Sequence, residues 1–113
     1  MLRGYVVTHD VLASAVRTAS GQTNSYRVDE FFEGIVFVDV TGVAGGGALV
    51  VQVECSPDDV NFYELPGGTF MSIAAASKKI KCINNFGKYL RLLYTITGTS
   101  VTFSIAFSGK AHD

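Results

Sequence analysis

The chain has 113 residues, enough for one domain that buries roughly two-thirds of its unfolded surface without metals or disulfides. It is 48% hydrophobic and 17% charged with a formal net charge of -1, which excludes a basic field for nucleic acid and any strong acidity. Soluble domains usually carry about 25% charged residues, so the shortfall implies more apolar surface than a solitary domain needs.

No apolar run is long enough to cross a bilayer. The opening Met1-Leu2-Arg3-Gly4-Tyr5 lacks the apolar stretch of a secretory signal, so synthesis and folding in a cytoplasm are expected. The pattern from there on is strand-like: apolar residues recur with period two, and Gly, Ser, Thr and Asn clusters interrupt them. Val11 to Thr18 alternates weakly and ends at Ser20-Gly21-Gln22-Thr23-Asn24. Tyr26-Arg27-Val28 reads as a short strand.

Val36, Val38 and Val40 form an inward stripe, with Ile35, Phe37 and Asp39 on the other face. Val43-Ala44-Gly45-Gly46-Gly47 is a flexible connection whose glycines permit positive φ. Leu49, Val51, Val53 and Cys55 make the next inward stripe. The two strands either pair, Val40 with Leu49 and Val38 with Val51, or lie in opposite sheets.

Phe62-Tyr63-Glu64-Leu65 follows the turn Ser56-Pro57-Asp58-Asp59 and closes at Pro66-Gly67-Gly68. Met71 to Ala76 is the one stretch with a helical reading, and it is a single turn. Lys78 to Ile83 is expected to point Ile80 and Cys82 inward and its lysines outward. Leu90, Leu92, Tyr94 and Ile96 share a face, as do Val101, Phe103, Ile105 and Phe107. Closing a hairpin at Thr97-Gly98-Thr99-Ser100 pairs Ile96 with Val101, Tyr94 with Phe103, Leu92 with Ile105 and Leu90 with Phe107. About eight short strands predict a single all-β domain over residues 1–113, an antiparallel, jelly-roll-like β-sandwich.

Cys55 and Cys82 are too few for a disulfide framework. Both fall on stripes read as inward, so free, buried thiols are expected rather than a disulfide.

Catalytic chemistry finds no footing, and no cofactor is implied. His9-Asp10 and His112-Asp113 are sequence neighbours at the chain ends without a nucleophile. Asp58, Asp59 and Asn61 are oxygen ligands in one loop, but without EF-hand spacing or a distal glutamate they read as an Asx-type turn. The glycines at 45–47 do not lead from strand to helix and make no phosphate cradle. Lys78, Lys79, Lys81, Lys88 and Arg91 read as a solvated strand face or a block to edge pairing, not as a nucleic-acid site.

The informative excess is apolar residues on outward positions. Phe31, Phe32, Ile35, Phe37, Tyr89 and Leu93 are the candidate interface.

Several segments together resemble small structural proteins of tailed bacteriophages and prophages. They are Ser14-Ala15-Val16-Arg17-Thr18-Ala19-Ser20-Gly21, Val38-Asp39-Val40-Thr41, Ser56-Pro57-Asp58-Asp59 with Phe62-Tyr63-Glu64-Leu65, Tyr89-Leu90-Arg91, Ile96-Thr97-Gly98-Thr99-Ser100, and Phe103-Ser104 through Gly109-Lys110. Asp59 stands at the usual turn glycine and Phe62 at the usual tryptophan. The resemblance implies a non-enzymatic virion component located in the virion after assembly in a host cytoplasm, in particular a capsid decoration protein. Its implied partners are the major capsid protein or other virion proteins and further copies of itself, with no nucleic acid or membrane. The alternatives are a tail or neck component, and a carbohydrate-binding jelly roll using Tyr5, Tyr26, Tyr63 and Phe86.

Overall fold

The computed structural model describes residues 4–84 and 86–112. Among these, nine strands run in chain order: β1 (Gly4–Arg17), β2 (Gly21–Gln22), β3 (Tyr26–Arg27), β4 (Phe31–Ala44), β5 (Ala48–Ser56), β6 (Tyr63–Ile73), β7 (Ser77–Asn84), β8 (Tyr89–Thr97) and β9 (Ser100–His112). They build two antiparallel sheets packed as a sandwich. One is four-stranded in the order β1-β9-β4-β7; the other is five-stranded in the order β2-β8-β5-β6, with β3 also on β8. No helix of the described residues is long and apolar enough to cross a membrane.

The inward stripes are as the alternation predicts. Val36, Val38 and Val40 of β4 and Val101, Phe103, Ile105 and Phe107 of β9 face Leu49, Val51 and Val53 of β5 and Leu90 and Leu92 of β8, all buried in one core. The pairing expected between the last two strands is different. β8 and β9 lie in opposite sheets, so the expected hairpin does not form. Leu92 pairs with Val53 and Ile96 with Leu49, while Val101 pairs with Val43 and Arg17. Tyr94 and Phe103 still meet, but across the core, edge to face with ring centroids 5.3 Å apart. β4 and β5 likewise fall in opposite sheets.

Both crossings use glycines at the same end of the sandwich. Gly45 and Gly46 have φ of 65° and 67° and Gly98 has φ 77°. A Cβ on Gly98 would stand 2.6 Å from the backbone nitrogen of Gly47, so the two connections pack backbone to backbone. Thr99 N–H donates to the Ala44 carbonyl at 3.2 Å.

At the other end Gly34 of β4 is paired with Gly109 of β9. The ring of Phe107 covers Gly34, and the ring of Phe31 lies 2.6 Å from where a Cβ on Gly109 would be. The two rings meet edge to face at 5.9 Å. Paired glycines thus make the space that these aromatics fill.

Three local expectations are corrected. Met71 to Ala76 is not a helical turn: β6 continues to Ile73. It also runs through Pro66-Gly67-Gly68, because Gln52 pairs with Thr69 and Glu54 with Glu64, leaving a bulge between. Proline is tolerated there because β6 is an edge strand and the bulge needs no ladder donor.

The third correction is the facing of β7. Ile80 and Cys82 pair with the outward residues Phe37 and Ile35, while Lys79 and Lys81 pair with the inward Val38 and Val36. β7 is the edge of its sheet, so a lysine on the core side reaches solvent there, as exposed Lys79 does. Charged residues on the inner side of an edge strand also discourage unwanted strand pairing. Cys82 is therefore exposed, not buried, and Cys55 is partly buried; both thiols are free.

Candidate functional site

The outer faces of the two sheets differ in chemistry. On the five-stranded sheet the outward residues are largely polar and bonded to one another. Arg91 of β8 donates to Glu54 of β5 at 2.8 Å in a half-buried ion pair, and its guanidinium lies 3.9 Å from the ring centre of Phe62. Thr69 bonds the side chain of Gln52. Leu93 sits between Gln52 and Gln22 in the ladder and Tyr89 beside Arg27, both half-buried.

On the four-stranded sheet the register stacks apolar residues side by side. Ile80 of β7 pairs with Phe37 of β4, and Phe37 pairs with Ala106 of β9. The next row is Cys82, Ile35 and Ser108, ending on Thr8 of β1, whose hydroxyl lies 2.8 Å from that of Ser108. Ile80 is 63% exposed and Phe37 37%. Charged rows frame this patch: Lys78, Asp39 and Ser104 at one end, Asn84, Glu33 and Lys110 at the other. Glu33 and Lys110 form an exposed ion pair at 3.5 Å.

The apolar row runs into a depression of about 310 Å³ lined by Asp10, Leu12, Ala13, Ser14, Ser104, Ile105 and Ala106. Its origin is the register of β1, which shifts against β9 between Asp10 and Leu12 and again between Leu12 and Ala15. Each shift inserts an extra β1 residue and lifts the strand from its neighbour. Arg17 fixes this shape by donating to the carbonyls of Ala13 at 3.0 Å, Ala15 at 3.2 Å and Phe103 at 3.2 Å. Its guanidinium also stacks 5.0 Å above the Phe103 ring.

The candidate interface residues are thus divided. Phe37 and half-buried Ile35 share the outer face of the four-stranded sheet. Phe32, 45% exposed, lies at the bulge that begins β4. Phe31 departs from the expectation: it is 7% exposed and belongs to the core, against Phe107. Tyr89 and Leu93 lie on the opposite side of the molecule. Ile80, Ala106 and Asp10 complete the patch and were missed, since only the register of β7 and β1 reveals them.

The Ser56–Asn61 loop is the Asx-type turn expected. The Asp58 carboxylate accepts from the N–H of Val60 at 3.0 Å, the N–H of Asn61 at 2.8 Å and the Asn61 amide at 2.8 Å. The Asn61 and Val60 N–H groups hold its pKa well below the usual carboxylate range. Asp59 adopts φ 63°, the left-handed conformation a turn glycine usually takes. The described residues contain no group of three or more His, Cys, Asp or Glu side chains fit to hold a metal. Asp113 and the side chains of Tyr5, His9 and His112 lie outside the described residues. Of the other aromatics considered for glycans, Tyr63 is exposed, while Tyr26 and Phe86 pack against the core.

A family model described as "Domain of unknown function (DUF6385)" matches residues 43–111, more than half of the chain. The chain belongs to the DUF6385 family. In DUF6385 terms the matched stretch carries Ile80 and Ala106 but not Phe37 or Asp10, which precede it. No curated protein matches the chain.

Solved structures share the fold. PBSX exported protein XepA superposes with a TM-score of 0.73 at 11% identity, over 95% of this chain and 38% of that one. SPBc2 prophage-derived protein YomS gives 0.60 at 12% identity, over 95% and 96%. The infectious bursal disease virus VP2 subviral particle gives 0.63 at 12% identity, over 97% and 33%. This DUF6385 chain therefore spans nearly all of YomS, but under two-fifths of the XepA and VP2 chains.

Proposed function

We propose that this DUF6385 chain is a non-enzymatic structural component of a virion, a capsid decoration protein that works by burying the outer face of its four-stranded sheet. The observation that carries the reading is the Ile80–Phe37–Ala106 row. Large apolar side chains stand in solvent on one sheet, while the outer face of the other is largely polar and its Leu93 and Tyr89 are half-buried. A chain with nothing to bind gains nothing from that asymmetry. The shared fold supports the setting, since similar structures include prophage-derived proteins and a subviral particle. Burial against a neighbouring virion protein stabilises the assembled state over the free one by mass action.

Electron microscopy of particles made with and without the gene tests the reading. Sandwich-shaped density on the capsid exterior, lost with the gene, is expected. The same difference at the neck or tail would move the protein to that part of the virion. Identical particles would remove the virion role.

A further inference from the structure

We infer that the occupant of the outer face of the four-stranded sheet is a second copy of this chain, packed sheet to sheet about a two-fold axis running along the strands between β4 and β9. The inference rests on the reading of this face as an assembly contact, and names what covers it. It follows from how the rows transform. Such an axis keeps each row in place and exchanges β4 with β9 and β7 with β1, because the sheet order is β1-β9-β4-β7. A two-fold contact forms only if the face is complementary to itself.

Row by row, it is. Phe37 is paired in the ladder with Ala106, Ile35 with Ser108 and Glu33 with Lys110. The axis lays Phe37 over Ala106 of the second copy, a large side chain against a small one, and Ile35 over Ser108 likewise. Glu33 lies over Lys110 and Lys110 over Glu33, joining two ion pairs into a four-charge cluster. On the flanks, β7 of one copy covers β1 of the other. Ile80, the more exposed of the two large apolar side chains in its row, then stands at the depression beside Asp10. Lys78, one row along, reaches the Asp10 carboxylate, which has no cation partner among the described residues.

Size agrees with a modest contact. Four strands about 4.8 Å apart and about eight residues long at roughly 3.3 Å each make a face of about 500 Å². Two such faces bury on the order of 1,000 Å², the lower bound for a specific interface. Association should therefore depend on concentration.

Sedimentation velocity of the purified chain, from about 1 µM to about 1 mM, reads the result. The wild type should pass from monomer to dimer and stop there, since a two-fold contact closes. Asp10→Lys and Lys78→Asp should each weaken the dimer about tenfold at low salt. An equimolar mixture of the two should recover it, because both flanking contacts are then opposite in charge. Phe37→Asp should abolish it. A wild type monomeric throughout, reversals without effect, or a mixture no better than its components would overturn the inference. If the wild type stays monomeric yet Phe37→Asp loses particle binding, the face meets another virion protein and the structural reading stands. A dimer that particles do not take up would leave the inference standing and remove the virion reading.

Discussion

Tyr94 and Phe103 meet edge to face 5.3 Å apart, although their strands belong to different sheets. Phe103 is fully buried, so Phe103→Ala should cost about 3–5 kcal/mol of stability through lost transfer energy and the cavity left behind. A double-mutant cycle with Tyr94→Ala should show a coupling of about 0.5–1.5 kcal/mol in urea denaturation. Strict additivity would mean the rings are not in contact.

That pair also shows where the sequence is legible. Alternation tells which residues turn inward, and the inward sets of β4, β5, β8 and β9 follow from it. It does not tell which inward residues are ladder neighbours and which face each other across a core, since Tyr94 and Phe103 satisfy either arrangement. The connection at Thr97–Ser100 looks like a hairpin turn, yet its Gly98 packs on Gly47 and carries the chain to the other sheet. At the edge the inward rule itself fails. Ile83 on the core side of β7 is buried, but toward the other end of this edge strand that side reaches solvent, so Lys79 can occupy it and Ile80 face out. The patch was half legible for the same reason: Phe37 and Ile35 follow from β4 alone, whereas Ile80 and Ala106 need the register. The burial of Phe31 is not legible, because nothing local signals the glycine pair that admits its ring.

That glycine pair gives a second prediction. A Cβ on Gly109 would press within 2.6 Å of the Phe31 ring. Gly109→Val should therefore destabilise the domain by about 1–3 kcal/mol through overpacking. Gly109→Val combined with Phe31→Ala should recover part of the loss. A thermal melt in which Gly109→Val alone is neutral would show that the ring can move aside.

The two thiols should separate kinetically. Cys82 is exposed on β7 and Cys55 partly buried on β5. Titration with a thiol reagent should show one fast group in the native state and the second only on unfolding. Replacing Cys82 with Ser should remove the fast phase.

Low pH should loosen the Ser56–Asn61 loop before the core. The folded pKa of Asp58 is depressed by the Asn61 and Val60 N–H groups. Its contribution is thus complete above the unfolded value, about pH 4, and is lost as pH falls through the lower folded value. Amide exchange at Val60 and Asn61 should rise in acid while Val51 and Leu92 stay protected. In Asp58→Ala the two loop amides should exchange fast at every pH.

If the outer face of the four-stranded sheet is an assembly contact, Phe37→Asp should separate binding from folding. Binding of the variant to particles lacking the protein would be measured beside the thermal stability of the free domain. Phe37 is 37% exposed and lies outside the core cluster. Stability should therefore stay within about 0.5 kcal/mol of wild type while particle binding falls at least about tenfold. Wild-type binding by Phe37→Asp, or a loss of folding that matches the loss of binding, would contradict it.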